Sequence, residues 1–196
     1  MQQEIEATYP DVSHDELREK LKTLGATLKQ PMHVMKKAIY DYPDLRLDAI
    51  ASWIRVREEA GKITMGYKRR QSETVEGMYE VEFDISDYDK AREFLEAIGL
   101  KTKALQESKR EVWQLDDCTV TLDEWPWIPT YAEVEGPNES SVRGVSSKLD
   151  LDYDTAMFDS IDAIYLKHFD VTRTEISSVL IAFGPVPEWL EAKRRK

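Results

Sequence analysis

Residues 4–9, Glu-Ile-Glu-Ala-Thr-Tyr, alternate polar and apolar side chains, and this pattern recurs later in the chain. This period of two predicts a β-strand with one polar and one apolar face. The alternation returns at residues 79–84, Tyr-Glu-Val-Glu-Phe-Asp, and at residues 133–135, Glu-Val-Glu. Each of the three strands therefore presents two glutamates on one face and a β-branched residue on the opposite, packed face.

A predicted helix follows each of the first two strands. Ser13 and Glu16 form a capping box before leucines at helical spacing, and Gly25 supplies the stop. In the second case Ser86 is the expected cap, and the helix before Gly99 has its apolar face on Ala91, Phe94, Leu95 and Ile98. Both helices are thus predicted with their starts and ends.

The two strand-helix segments also resemble each other in sequence. Residues 21–25, Leu-Lys-Thr-Leu-Gly, align with residues 95–99, Leu-Glu-Ala-Ile-Gly, and residues 36–40 align with residues 109–113. This similarity indicates an internal duplication, in which two strand-helix-strand halves build one sheet system.

The remaining elements are antiparallel strands followed by helices. Strands are expected over residues 28–41, 52–58, 62–70, 112–115 and 119–123, with hairpin turns at Ala60-Gly61 and Asp116-Asp117. Beyond Gly136 the pattern is helical over residues 140–149 and 155–169, and residues 176–183 fit either helix or strand. We expect this C-terminal region to pack outside the sheet.

Two of the strands carry positive charge on one face. Trp53, Arg55 and Arg57 share a face, and Lys68 and Arg70 share a face of the next strand. A solvent-exposed sheet surface would give the same alternation, but its repetition on several strands favours a common interior. If the sheet closes into a barrel, that interior holds carboxylates together with guanidinium and ammonium groups, which makes an electrostatic binding site.

Such an interior suits a polyphosphate with a bound metal ion. Carboxylate oxygens bind hard divalent cations such as Mg²⁺ or Mn²⁺, and arginine presents a planar fork of donors that matches phosphate oxygens. The metal ion and the arginines would then bind different oxygens of the same anion. Metal ions placed there can neutralise developing charge and activate a nucleophile for phosphoryl transfer.

The order of these motifs resembles a known family. The motif residues are Glu4-Ile5-Glu6, Arg55-x-Arg57, Lys68, Glu80-x-Glu82, Arg110-x-x-Trp113, Asp123 and Glu133-Val134-Glu135-Gly136. Over residues 4 to about 150 they resemble the CYTH superfamily, also called triphosphate tunnel metalloenzymes. That family includes class IV adenylyl cyclases, thiamine triphosphatases and inorganic tripolyphosphatases.

The resemblance implies an α+β fold built around a closed eight-stranded antiparallel β tunnel with helices packed outside. We expect a single CYTH-like domain over residues 1–196, with the tunnel core at 1–150 and a C-terminal helical extension at 151–196. The ligand is expected to be a small-molecule triphosphate.

The resemblance also implies roles for individual residues, with Mg²⁺ or Mn²⁺ as the cofactor. The metal ligands or their close supports would be Glu4, Glu6, Glu80, Glu82, Asp123, Glu133 and Glu135. The substrate-binding cations would be Arg55, Arg57, Lys68, Arg70, Lys109 and Arg110.

Two positions depart from the family's pattern. The opening motif of the family is Glu-x-Glu-x-Lys, but Thr8 stands at the lysine position. The later motif is Lys-x-Arg, yet Ser108 stands where its lysine is expected and Lys109 follows one residue later, on the other strand face. Lys37, Arg70 or a bulge at Lys109 could compensate, and no catalytic residue is assigned.

Composition narrows the classes of function. With 38 acidic and 27 basic residues the net charge is −11, which argues against general nucleic-acid binding. No apolar run approaches the roughly 20 residues of a membrane span, and the N-terminus lacks the features of a signal peptide. We therefore expect a cytoplasmic monomer or homodimer that binds no membrane. The lone Cys118 argues against a thiol nucleophile.

Three functions are consistent with these residues. The first is a divalent-metal-dependent phosphohydrolase acting on an organic, nucleotide or inorganic triphosphate. The second is a class IV adenylyl cyclase, in which the ribose hydroxyl of ATP attacks the α-phosphate. The third, favoured by Thr8 and Ser108, is a binding module for polyphosphate or nucleotide without turnover. The residues do not separate the first two, because the choice depends on which phosphorus lies in line with the nucleophile.

Overall fold

The computed structural model describes residues 1–195, so Lys196, the last residue of the predicted extension, lies outside them. Within this range the strands are β1 (Gln2–Glu4), β2 (Glu6–Pro10), β3 (Thr27–Asp41), β4 (Ser52–Glu59), β5 (Lys62–Arg70), β6 (Met78–Ile85), β7 (Lys101–Leu115), β8 (Cys118–Glu124), β9 (Tyr131–Glu135) and β10 (Leu180–Ile181). The helices are α1 (His14–Thr23), α2 (Tyr88–Ala97), α3 (Glu139–Lys148), α4 (Asp162–His168), α5 (Arg173–Ile176) and α6 (Glu188–Glu191). None of these helices has the length and apolar character that crossing a membrane requires.

The strands form one antiparallel path in the order β1-β6-β5-β4-β3-β7-β8-β9-β2, and β10 pairs in parallel with β7. The prediction of a closed eight-stranded tunnel was wrong, because the described residues form ten strands and the path is open. The N-terminal run divides at Ile5, so that its first part pairs with β6 and its second part with β9. The two ends of the path are therefore consecutive segments of the chain that do not pair with each other.

The long strands β3 and β7 lie side by side at the centre of the path. From β3 the path continues through β4, β5 and β6, and from β7 it continues through β8, β9 and β2. The two halves thus repeat one arrangement, in agreement with the predicted duplication. Both predicted hairpins are present, and Ala60, Gly61 and Asp116 have the positive φ that tight two-residue turns need.

Helices α1 and α3 cover the outer face of one end of the path. Leu17, Leu21 and Val142 are buried there against Tyr9 and Val120 of the sheet. The outer face of β2 is therefore apolar and packed, as its alternation predicts. Its other face is left for the polar side chains at positions 4, 6 and 8.

Helix α2 departs from two predictions. Its N-cap is Asp87 rather than Ser86, because the Asp87 carboxylate accepts a hydrogen bond of 2.9 Å from a backbone N–H in the first turn. Phe94 and Ile98, predicted on the packed face, are 56% and 55% exposed. This short helix buries only a narrow stripe against the sheet, in which Leu95 is the buried residue.

The C-terminal region also differs from its prediction. Within residues 155–169 the α-helix covers only Asp162–His168, and residues 176–183 contain the end of α5 and strand β10. Met157 forms a backbone bridge with Thr8 through hydrogen bonds of 3.1 and 2.8 Å. The region therefore covers the edge of β2 that β9 leaves free, instead of packing only outside the sheet.

An apolar cluster fastens the C-terminal region to the sheet. Ile164, Tyr165 and Phe169 are buried in it together with Trp125 and Tyr131, which stand at the end of β8 and the start of β9. Burial of this size makes the region part of the packed structure rather than a loosely attached tail.

We expect Ile164→Ala to lower the free energy of unfolding by about 2–5 kcal/mol, because this 2% exposed side chain would leave a cavity in the cluster. Urea denaturation followed by tryptophan fluorescence measures the change. The control Leu180→Ala alters a side chain that is 63% exposed and should change stability by less than about 0.5 kcal/mol. Identical midpoints for wild type and Ile164→Ala would contradict this view of the C-terminal region.

Candidate functional site

Strand β4 directs two arginines toward β6 across β5. Arg55 donates to one oxygen of Glu82 at 2.7 Å, and Arg57 donates to the other at 2.6 Å. Gly66 lies between Arg55 and Glu82 in the register and has no side chain to separate them. A Cβ at this position would lie 2.9 Å from the carbonyl oxygen of Val81, which is too close. Burial opposes ionisation of Glu82, but Arg55 and Arg57 outweigh it and lower the pKa of this carboxyl group.

Lys68 of β5 makes a second set of contacts on the same face. Its Nζ lies 2.8 and 2.7 Å from the two oxygens of Glu4 and 3.2 Å from Glu80. Lys68 thereby joins β5 to both β1 and β6. Burial raises the pKa of Glu4 in spite of the neighbouring ammonium group.

Arg110 of β7 is the centre of a third set. It donates to Asp123 of β8 at 2.7 Å and to Glu133 of β9 at 2.6 Å. Thr121 donates a further hydrogen bond of 2.6 Å to Asp123. Burial alone would lower the pKa of Arg110, but Asp123 and Glu133 raise it well above its usual value, so the guanidinium remains charged. These three sets of side chains surround one space, which we call the polar interior.

Two glutamates of the acidic side have no basic partner, namely the half-buried Glu6 and the exposed Glu135. Among the described residues, no hydrogen bond or ion pair reaches the carboxylates of Glu6 and Glu135, which face each other in the β2–β9 register. Burial, with the negative charges of Glu133 and Glu4, raises the pKa of Glu6 to about 8. Glu6 therefore keeps a proton at neutral pH unless a cation replaces it.

The chemistry of this acidic group fits a hard divalent cation. A metal ion would replace the proton on Glu6 and offset the repulsion from Glu133 and Glu135, and carboxylate oxygens are the ligands that such ions prefer. In residues 1–195, however, no three carboxylate, imidazole or thiol groups stand close enough together to form a ready metal site. Most of the other predicted ligands are engaged by lysine or arginine instead.

Three buried polar atoms on the basic side have no partner among the described residues: Arg55 Nε, Thr64 Oγ1 and Ser108 Oγ. Arg57 Nε makes no hydrogen bond, but it forms an ion pair of 3.3 Å with Glu59. A buried polar group without a partner is costly, so these atoms favour the approach of a group that can hydrogen-bond to them. Arg57 and Thr64 are cross-strand partners, and an anion beside β4 would therefore meet several donors at once.

A family model described as CYTH domain matches residues 2–152, which include every side chain of the polar interior. The chain belongs to the CYTH domain family. A comparison of this chain with curated proteins found no match.

Solved structures share the fold of this CYTH domain. A candidate adenylate cyclase from Vibrio parahaemolyticus has a TM-score of 0.72 at 18% identity, covering 83% of this chain and 97% of that one. A conserved hypothetical protein from Pyrococcus furiosus has a TM-score of 0.69 at 20% identity, with 82% and 99% covered. HpAC1 from Hippeastrum, a candidate adenylyl cyclase described as having a dominant triphosphatase activity, has a TM-score of 0.58 at 16% identity, with 84% and 95% covered. Similarity at these identities concerns the fold alone.

The polar interior of the CYTH domain gathers most of the residues that the sequence singled out. They are Glu4, Glu6, Glu80, Glu82, Asp123, Glu133, Glu135, Arg55, Arg57, Lys68 and Arg110. Lys109 is not among them, because its side chain leaves the opposite face of β7. There it pairs with Glu124 at 2.9 Å and lies 4.6 Å from the ring centre of Phe183. Ser108 takes the inner position, as the one-residue offset indicates.

The C-terminal region occupies the end of the interior where Arg70 and Thr8 stand. Arg70 pairs with Asp159, which also pairs with Arg173 of α5. Thr8 and Glu133 line a cavity of only about 10 Å³ together with residues of the C-terminal region. Thr8, at the position where the family motif has a lysine, therefore faces a small cavity that the C-terminal region covers.

Sequence reasoning missed Thr64 and Thr121 and left Lys37 among several alternatives. The two threonines give no distinct signal, because threonine is common on either face of a strand. Lys37 is 8% exposed, with its Nζ 4.4 Å from the ring centre of Trp125. The alignment of Lys37 with Arg110 in the internal duplication could have identified it, since equivalent positions of duplicated strands are expected to point to the same side of the sheet.

We expect Glu6 to make the metal-free protein less stable as the pH rises. The pKa of Glu6 is about 8 in the fold against an ordinary value of 4.5, so the folded state holds this proton more tightly than the unfolded state. The resulting stabilisation is complete below the ordinary value and is lost as the pH rises through the folded value. Glu6→Gln cannot ionise and should remove this part of the pH dependence.

Urea denaturation with a chelator at about pH 6 and about pH 9 measures the effect. Wild type should lose more free energy of unfolding over this interval than Glu6→Gln does. Glu93→Gln, which alters an exposed carboxylate on α2, should follow the wild type. Equal losses in Glu6→Gln and wild type would contradict the raised pKa of Glu6.

Proposed function

We propose that this CYTH domain is a divalent-metal-dependent phosphohydrolase that acts on a triphosphate in the polar interior. The observation that carries the proposal is the division of this interior into two sides. The basic side has buried groups without partners on Arg55 and Thr64, whereas the half-buried Glu6 and the exposed Glu135 on the acidic side have no basic partner among the described residues. A triphosphate with bound metal brings negative charge to the first side and positive charge to the second.

The basic side would bind the phosphate oxygens. Arg55 and Arg57 present planar donor groups, and the Thr64 hydroxyl lies across the ladder from Arg57. Without a ligand Glu82 accepts from both arginines. A phosphate group carries more acceptor oxygens than this carboxylate, so exchanging one for the other would leave both guanidinium groups paired and would also reach the free Nε of Arg55.

The acidic side would hold Mg²⁺ or Mn²⁺ through Glu6, Glu133 and Glu135. When bound, such an ion supplies charge neutralisation on the phosphates and an activated water nucleophile. Arg110 fixes Glu133 and Asp123 in place by hydrogen bonds of 2.6 and 2.7 Å. Glu6 must release its proton to bind a cation, so we expect metal binding to strengthen as the pH approaches 8.

Hydrolysis suits this interior better than cyclisation of ATP. A water nucleophile needs little space, whereas a ribose hydroxyl must be brought in line with the α-phosphorus by a bound nucleoside. The C-terminal region fills the space beside Thr8, and Asp159 engages Arg70. The triphosphatase activity described for the Hippeastrum protein supports hydrolysis, while the candidate cyclase from Vibrio parahaemolyticus makes cyclisation the second candidate.

Incubation of the purified protein with tripolyphosphate, thiamine triphosphate and ATP, each with Mg²⁺ or Mn²⁺, tests the proposal. We expect at least one of them to release orthophosphate, and a chelator to stop the release. Cyclic AMP from ATP would select the cyclase instead. Tight binding without any product would select a binding module, and the absence of both binding and product would contradict a triphosphate site.

A matched pair of variants assigns the activity to the polar interior. Arg57→Met should lower kcat/KM by roughly ten-fold to a hundred-fold, the effect of losing hydrogen bonds to a charged group. Glu82 keeps Arg55 as its partner in this variant, so we expect it to fold. The control Lys62→Met removes an exposed cation that pairs only with Asp84 among the described residues, and its activity should equal that of wild type. Equal activity of both variants would place the reaction elsewhere.

A further inference from the structure

Lys37 is a buried cation for which the fold supplies no carboxylate partner. It lies on β3 opposite Arg57 of β4 and Gln106 of β7, and only 8% of it is exposed. Its Nζ stands over the ring of Trp125 at 4.4 Å from the ring centre. No hydrogen bond or ion pair within residues 1–195 reaches this ammonium group.

The other cations of the polar interior are all paired. Arg55 and Arg57 share Glu82, Lys68 binds Glu4, and Arg110 binds Asp123 and Glu133. Lys37 differs from them because its neighbourhood is mainly positive. The charged groups that act on it are Arg110, Arg55, Asp123 and Arg57, and burial together with these arginines lowers the pKa of Lys37 well below its usual value.

A purely structural role accounts poorly for this arrangement. The aliphatic part of Lys37 can pack on Trp125, and a cation over an indole ring is stabilised by about 0.5–2 kcal/mol. An uncompensated buried charge beside three arginines has the opposite effect, and an apolar residue would fill the same space without it. An anionic ligand that enters among these residues would remove the conflict.

The internal duplication gives an independent reason to group Lys37 with the phosphate-binding cations. Residues 36–40 align with residues 109–113, which makes Lys37 the counterpart of Arg110. The structure agrees with this equivalence, because Lys36 is exposed and Lys109 lies on the outer face of β7, whereas the buried Lys37 and the half-buried Arg110 face the polar interior. Lys37 and Arg110 stand on the two central strands, β3 and β7.

We propose that Lys37 is a phosphate-binding residue that contacts the triphosphate directly and supplies the interior amine that Thr8 and Ser108 lack. This inference rests on the proposed function and adds to it a residue that determines affinity for the triphosphate chain. Binding at an arginine of the interior requires a carboxylate to leave, whereas binding at Lys37 requires no such exchange. Lys37 is therefore the cation at which a phosphate group gains the most, because no carboxylate has to leave and the neighbouring arginines attract the ligand.

Calorimetric titration with inorganic tripolyphosphate and Mg²⁺ tests the role of Lys37, using Lys37→Met, Lys37→Gln and the control Lys36→Met. Lys36 is the adjacent exposed lysine on the outer face of β3. Each neutral Lys37 variant should raise Kd by about ten-fold to a hundred-fold, and the control should leave Kd unchanged. Because the substitution removes like-charge repulsion, neither Lys37 variant should melt below the wild type when ligand is absent.

The outcomes separate this inference from the proposed function. If wild type binds tripolyphosphate and a folded Lys37 variant binds it as tightly as Lys36→Met does, Lys37 is not a phosphate contact, although the proposed function stands. A marked fall in melting temperature in both Lys37 variants would also overturn the inference, since it would show that the fold itself requires the ammonium group. If wild type binds neither tripolyphosphate, thiamine triphosphate nor ATP, the proposed function and the inference fall together.

Discussion

The ion pair between Lys68 and Glu4 ties β5 to β1, the strand at one end of the sheet path. Lys68 stands on β5, Glu4 closes β1, and the chain passes through Ile5 directly into β2 at the other end of the path. The chain thus connects the two ends covalently at Ile5, and the ion pair holds Glu4 beside β5, so that the basic strands β4 and β5 and the acidic strands β2 and β9 lie around one space. A lysine and a glutamate that are almost fully buried must pair, because either charge alone would be costly there.

The same constraint governs the rest of the polar interior. Two arginines share one glutamate on β6, and one arginine holds two carboxylates on β8 and β9. Two clusters of like charge remain without such pairing, an acidic one around Glu6 and a positive one around Lys37. A metal-bound triphosphate complements both groups, so the features that the unliganded fold leaves unsatisfied are those that the proposed ligand would satisfy.

Much of this arrangement could be predicted from alternation, because a strand with one packed face fixes which side chains share the other. The glutamate pairs at positions 4, 6, 80, 82, 133 and 135 and the arginines at 55 and 57 follow from that rule. The division at Ile5 could not, since it depends on how two neighbouring strands compete for one segment. Nor could the place of residues 157–161, which meet β2 only after the chain has folded back over more than half its length. Helical spacing also predicted wrongly that Phe94 and Ile98 are packed, because spacing alone does not show how much of the helix surface the sheet buries.

A crystal structure with tripolyphosphate and Mn²⁺ tests the central claim most directly, because anomalous scattering locates the metal independently of the phosphates. The account predicts phosphate oxygens on Arg55, Arg57 and Lys37, manganese beside Glu6 and Glu135, and Glu82 displaced from at least one arginine. A triphosphate bound on the outer surface, with the ion pairs of the polar interior intact and no manganese within it, would contradict the account.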